Sequence, residues 1–268
     1  MTVPIVLSAA FCLAFGQDEP SSSDTAQVPF EEAVRSVGPG EVDWTNLKLV
    51  VDSRSDRTVG AWKDRRVQEQ DALDSIAPRM DAAARRIPVT ADSTAGDLYG
   101  GGELGARLEE GARSWQVSET RYHQSGGVEM AATLDLRTWL LPALSQLAVA
   151  DAPRLATAAG APTGIVVDAR GLPFQPSLVP SISTVDAQPI LRANLLGPSI
   201  DARAAPVVYV TDPADPRAFS RAGARPLFAR AASADGAVLV LAPGDTVTPS
   251  PTVAGLVAAR RVVVVIDP

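Results

Sequence analysis

The chain has 268 residues, of which 46% are hydrophobic and only 5% aromatic, and its formal net charge is −7. That length suits one large or two ordinary domains, here read as two, with cores built mainly from Val, Leu and Ala. The negative balance argues against a general nucleic-acid binder, which needs basic surface to displace counterions, and against charge-driven adhesion to anionic lipid.

Val3 to Phe15 is a short apolar run followed by small residues, the pattern of a signal peptide over residues 1–16 with cleavage after Gly16. It is shorter than the roughly 20 residues a spanning helix needs. The only cysteine, Cys12, lies inside this run, so a mature chain would hold no disulfide. Lipidation at Cys12 is disfavoured by the bulky Phe11 before it. Residues 17–41, rich in Ser, Pro and acid, read as a flexible leader.

A first α+β domain is expected over residues 42–147. Leu47, Leu49 and Val51 alternate with polar neighbours, as in a strand with one buried face, and run into Asp52-Ser-Arg-Ser-Asp56. A long helix is predicted from about Val59, its apolar stripe being Trp62, Leu73, Ile76, Met80, Ala83, Ala84 and Ile87. Pro78 should kink or restart it, and Pro88 should end it. Gly100-Gly101-Gly102 reads as a loop before a short helix over Leu104 to Ala112. The organising feature is a β-hairpin. Trp115 to Tyr122 and Val128 to Leu136 are its strands, turned by Gly126-Gly127, and a helix interrupted near Pro142 follows from Arg137.

Residues 148–162 read as a linker and 163–268 as a smaller, strand-rich α/β domain. Its strand candidates are Thr163 to Asp168, Val207 to Val210, Ala237 to Leu241 and Arg261 to Ile266, with possible strand contacts at Leu178 and Ile182. Thr252 to Ala259 is helix-compatible. Continuous apolar runs of this kind suit strands covered on both faces.

Candidate chemistry is sparse. His123, the only histidine, sits at the lip of the hairpin turn and reads as a solvated turn residue, and no Cys/His cluster exists for zinc. Asp52, Asp56 and Asp168 stand at strand ends, where carboxylates can serve acid/base work, but each has an arginine neighbour (Arg54, Arg57 or Arg170) to pair with. The glycine triplet lacks the Lys-Ser/Thr of a phosphate loop, and no Gly-x-Ser-x-Gly elbow occurs. Trp44, Trp62, Trp115 and Trp139 all fall in the first domain, with Trp62 and Trp115 expected in the core. No catalytic, cofactor-binding or metal-binding residue is assigned, and no cofactor is expected.

The motifs Ala72-Leu73, Arg86-Ile87-Pro88-Val89, Ala91-Asp92-Ser93-Thr94 and the hairpin from Tyr122 to Leu136 resemble the Lpp-twenty lipoprotein family, to which the flagellar outer-membrane protein P belongs. Thr163 to Leu172, with Gln175-Pro176 and Pro180-Ser-Ile, is similar to a second region of longer envelope relatives. The resemblance implies a non-enzymatic envelope scaffold, possible flagellar or peripheral outer-membrane association, and partners that are envelope proteins or copies of the chain itself. A periplasmic or secreted location follows from the signal-like start. A small-ligand or glycan-binding module is the alternative, and an enzyme using Asp52, Asp56 or Asp168 would need those carboxylates to converge in one cleft.

Overall fold

The computed structural model describes residues 30–55, 65–100, 102–124, 127–145, 160–196 and 203–268. The signal-like run, Trp62, Asp56, Arg57, most of the predicted linker and the hairpin residues Ser125 and Gly126 lie outside these residues. The fold is α+β, with a helix-plus-hairpin unit followed by a strand-rich α/β unit.

The first sheet has five strands: β1 (Val34–Val37), β2 (Gly40–Asp43), β3 (Lys48–Arg54), β4 (Gln116–Tyr122) and β5 (Val128–Asp135). Their spatial order is β1-β2-β3-β5-β4, and every neighbouring pair is antiparallel. The period-two pattern decides which face is buried: Leu49, Val51 and Ser53 of β3 and Val128, Met130, Ala132 and Leu134 of β5 turn inward. Helix α1 (Arg65–Ala84) lays Ala72, Ile76, Met80 and Ala83 across them, at the spacing of one helical face. The one hydroxyl under the helix is satisfied, since Ser53 Oγ donates to the Ala72 carbonyl at 2.8 Å.

Pro78 lies within α1 and the helix is not restarted there. Pro78 and Asp74 are both exposed, so water can reach the Asp74 carbonyl that loses its donor. Two short helices, α2 (Ala95–Tyr99) and α3 (Gly102–Gly111), lead to β4. After β5 come α4 (Leu136–Trp139) and α5 (Leu141–Ser145), with Pro142 in the opening turn of α5, where its missing N–H is least costly. Strands β1 and β2 were not foreseen. β1 falls inside the stretch read as a flexible leader and β2 straddles its end; four residues each, they are too short to display a periodicity of their own.

The second sheet has seven strands in the order β8-β7-β11-β10-β6-β12-β9. These are β6 (Gly164–Asp168), β7 (Ser181–Ser183), β8 (Pro189–Leu191), β9 (Val207–Val210), β10 (Pro226–Asp235), β11 (Val238–Leu241) and β12 (Val262–Val265). The strands β10, β6, β12 and β9 are mutually parallel, which suits their apolar runs. Helix α6 (Pro216–Ala222) covers one face, packing Ala218 and Ala222 against Val166, Val210, Val263 and Val265. On the other face Ile165, Val167, Tyr209, Val262 and Val264 join α7 (Pro251–Ala258) and the first sheet in one continuous apolar cluster.

Backbone bonds tie the two sheets as well. The N–H groups of Leu178 and Val179 donate to the carbonyls of Pro88 and Val89 at 3.1 and 2.8 Å. Thr211 Oγ1 donates to the Glu31 carbonyl at 2.7 Å, and Arg35 Nη2 to the Asp267 carbonyl at 2.7 Å.

Candidate functional site

With α1 on one face of the first sheet, the opposite face projects Asp52 and Arg54 of β3, Glu129 of β5, and Glu119 and Arg121 of β4. The register sets Glu129 between two arginines, opposite Arg54 on one side and Arg121 on the other. Arg54 Nη1 lies 3.2 Å from Glu129 Oε1, and His123 Nε2 lies 2.9 Å from Glu129 Oε2. Arg121 forks onto Glu119 at 2.6 and 2.8 Å. Contact with His123, reinforced by the charges of Arg54 and Arg121, holds the Glu129 carboxyl below its usual range. That is the wrong direction for a general acid, which needs a raised carboxyl. Exposed cross-strand pairs of this kind are screened by water and set register more than they add stability.

A groove of about 590 Å³ runs past these groups and is also lined by Ser75 and Arg79 of α1. It exists because β2 pairs with β3 only as far as Val50, so that among the described residues no strand continues beside Asp52 to Arg54 on the side away from β5. Among the described residues no strand pairs with the outer edge of β4. Six of the seven β4 residues are exposed, Val117 at 41% and Tyr122 at 49%. Charge complementarity at the end of α1 fixes Tyr122: its hydroxyl donates to Glu69 at 2.9 Å and the Arg65 guanidinium sits 3.6 Å above its ring. A second crevice, about 320 Å³, opens between α1 and α3 beside the half-buried Trp115.

The residues singled out from sequence are not brought together. Asp52 is on the first sheet and Asp168 on the second, and Asp56 lies outside the described residues. Asp168 is held by its neighbour: Arg170 donates through Nε at 2.9 Å, Nη2 at 2.7 Å and its backbone N–H at 3.1 Å, and this keeps the carboxyl below its usual range. His123 closes the hairpin by donating its backbone N–H to the Gly127 carbonyl at 2.9 Å. Gly100 caps α2 and Gly102 is already the first residue of α3, so the stretch read as a loop is helical at that end, and a Cβ at either glycine would meet nothing within 4 Å. Of the tryptophans, Trp44 and Trp139 are buried, Trp115 is half-buried, and Trp62 lies outside the described residues. Among the described residues no group of three or more His, Cys, Asp or Glu could hold a metal ion, and no helix is long and apolar enough to cross a membrane.

The seven strands of the second sheet all lie between Gly164 and the last residue. Residues 164–268 match the family model described as Treponema pallidum Tp0624, second domain. The match begins on the first residue of β6 and takes in the whole of that sheet. It corrects the resemblance read from the motifs: the similarity found is to the Tp0624 second domain and not to the Lpp-twenty lipoprotein family. The reason is physical. Hairpin-plus-helix motifs such as Tyr122 to Leu136 encode a common two-layer packing, and alternation with a Gly-Gly turn is shared by many unrelated sheets. No curated protein matches the chain.

Proposed function

We propose that the chain is a non-enzymatic scaffold of the cell envelope that acts by pairing with a second copy of itself, β4 against β4. The observation that carries this reading is the free outer edge of β4, seven residues long and exposed almost throughout. An unpaired strand edge offers its backbone N–H and C=O groups to another strand. The charges on it make a second copy a fitting occupant. In an antiparallel pair with its two-fold axis at Thr120, Glu119 of each copy stands opposite Arg121 of the other, and like charges never meet. The irregularity between Val117 and Glu119 and the two charges disfavour indiscriminate strand addition, which leaves a selective edge. The signal-like run Val3 to Phe15 supports export to the envelope.

A single-strand contact belongs to the small, weak class of interfaces, so the assembly is expected over roughly 1–500 µM. Sedimentation velocity on the mature chain should show a monomer–dimer equilibrium. Glu119→Lys should shift it to monomer, and Glu119→Arg combined with Arg121→Glu should restore the dimer. A chain that stays monomeric across that range, or a dimer indifferent to Glu119→Lys, would overturn the reading.

A further inference from the structure

At the junction of the two sheets, arginines from distant parts of the sequence line one crevice of about 460 Å³. Thr45 comes from the turn after β2 and Arg137 from α4, Arg217, Ser220 and Arg221 from α6, and Arg261 from the position just before β12. Among the described residues that line it there is no carboxylate, although acidic residues outnumber basic ones by 31 to 24 in the chain as a whole. Arg217 is neutralised from behind by the buried Asp215, through Nη2 at 2.6 Å and Nε at 2.9 Å. Arg137 and Arg261 form no ion pair with any described residue.

The groups are held in place by the backbone. Arg221 Nη1 donates to the carbonyls of Ala205 and Arg260 at 3.2 and 3.0 Å, and Arg261 Nη1 donates to the Arg221 carbonyl at 3.2 Å. A guanidinium carries five donors, and anchoring of this kind fixes its plane; the single bond of Arg261 uses only part of that capacity. The hydroxyl of Thr45 already accepts from the Ala33 N–H at 2.9 Å, which leaves its proton to donate. Cations gathered in one crevice repel one another unless an anion joins them. Guanidinium forks match the oxygens of phosphate better than any other common group, and hydroxyls complete its shell.

We infer that this crevice binds a phosphate-bearing anion, a phosphate ester or polyphosphate, and clamps it between the two sheets. Junctions between structural units are where small-ligand sites preferentially occur. The inference is independent of the β4 pairing, because α6 and β12 are remote in the fold from that edge. The phosphate could be a soluble ester or a lipid headgroup, and the two sources are separable by experiment.

Isothermal titration of the mature chain with sodium pyrophosphate should give saturable binding that weakens with added salt. Arg137→Gln with Arg261→Gln should reduce the affinity on the order of tenfold or more, while Arg107→Gln on the exposed face of α3 leaves it unchanged. Arg137→Gln alone, which removes no ion pair or hydrogen bond of the fold, should reproduce part of the loss. Co-sedimentation with vesicles of phosphatidic acid in phosphatidylcholine, lost in the double variant, would assign the phosphate to a lipid; pyrophosphate binding without vesicle binding would assign it to a soluble ester. Failure of both probes to bind, or equal weakening by Arg107→Gln, would overturn the inference.

Discussion

The indole of Trp44 and the phenol ring of Tyr209 meet edge to face, their centroids 5.8 Å apart and their planes at 73°. Trp44 follows β2 in the first sheet and Tyr209 lies in β9 of the second, with the Phe174 ring centroid 6.1 Å from that of the phenol. The contact is therefore a seam between sheets, and both side chains are almost completely buried. Trp44→Ala should lower stability by about 3–5 kcal/mol, the cost of deleting a large buried aromatic. Urea unfolding should remain a single transition. Two resolved transitions, with only the earlier one moved, would mean that the sheets unfold separately.

Tyr209 also predicts alkaline sensitivity. Its hydroxyl donates to the Ser177 carbonyl at 2.7 Å and accepts from the Ser177 N–H at 3.3 Å, and burial pushes its phenol well above the ordinary value. Burial likewise pushes the Tyr99 phenol up to about 12. A group whose pKa is raised by folding holds more protons in the native than in the unfolded chain once the pH passes its unfolded value. Stability should therefore be level below about pH 10 and fall above it, as unfolded tyrosines begin to ionise. Tyr209→Phe should cost about 1–2 kcal/mol at neutral pH and make the alkaline decline shallower, read from denaturant midpoints between pH 8 and 12.

In acid a sensitive group is the buried Asp215, which caps α6 by accepting from the Arg217 N–H at 2.8 Å. Burial works to raise its carboxyl, but the Arg217 fork and that N–H outweigh burial and hold it below the ordinary range. Its contribution is present above the unfolded value near pH 4 and disappears as pH falls through the depressed native value. Asp215→Ala should cost about 1–2 kcal/mol at pH 7 and much less at pH 2, measured by thermal unfolding at both.

Close approach of α6 to β6 depends on Gly164. A methyl group there would lie 2.4 Å from the Ala222 Cα and 2.5 Å from its carbonyl oxygen, both backbone atoms that cannot swing aside. Gly164→Ala should cost about 1–3 kcal/mol or more in chemical denaturation. Gly100→Ala, at a position with φ −74° and open space around it, should be close to neutral.

Long, regularly patterned elements were legible in the sequence. Strands β3 and β5 show alternation, α1 shows helical spacing at Ile76, Met80 and Ala83, though the structure buries Ala72 where the stripe had Leu73, and β12 is an unbroken valine run. Elements whose identity comes from their neighbours were not. The ten-residue β10 carries Arg230 and several alanines, and its extended form follows from pairing with β6 on one side and β11 on the other. The site is harder still. The exposed pair Glu119 and Arg121 can be read from a two-residue spacing on a strand, whereas the arginine crevice draws on residues from Thr45 to Arg261 that no local pattern links. Trp44 shows the same limit, since its burial depends on a tyrosine far along the chain.

The amides of Leu178 and Val179 that reach across to Pro88 and Val89 bear on how the molecule can be divided. A fragment cut to begin at Gly164 keeps every strand of its sheet but loses both acceptors and the aromatic lid over Tyr209. Its underside, lined by Ile165, Val167, Val262 and Val264, would keep α7 but lose the first sheet as cover, so such a truncation should precipitate or demand a substitute cover.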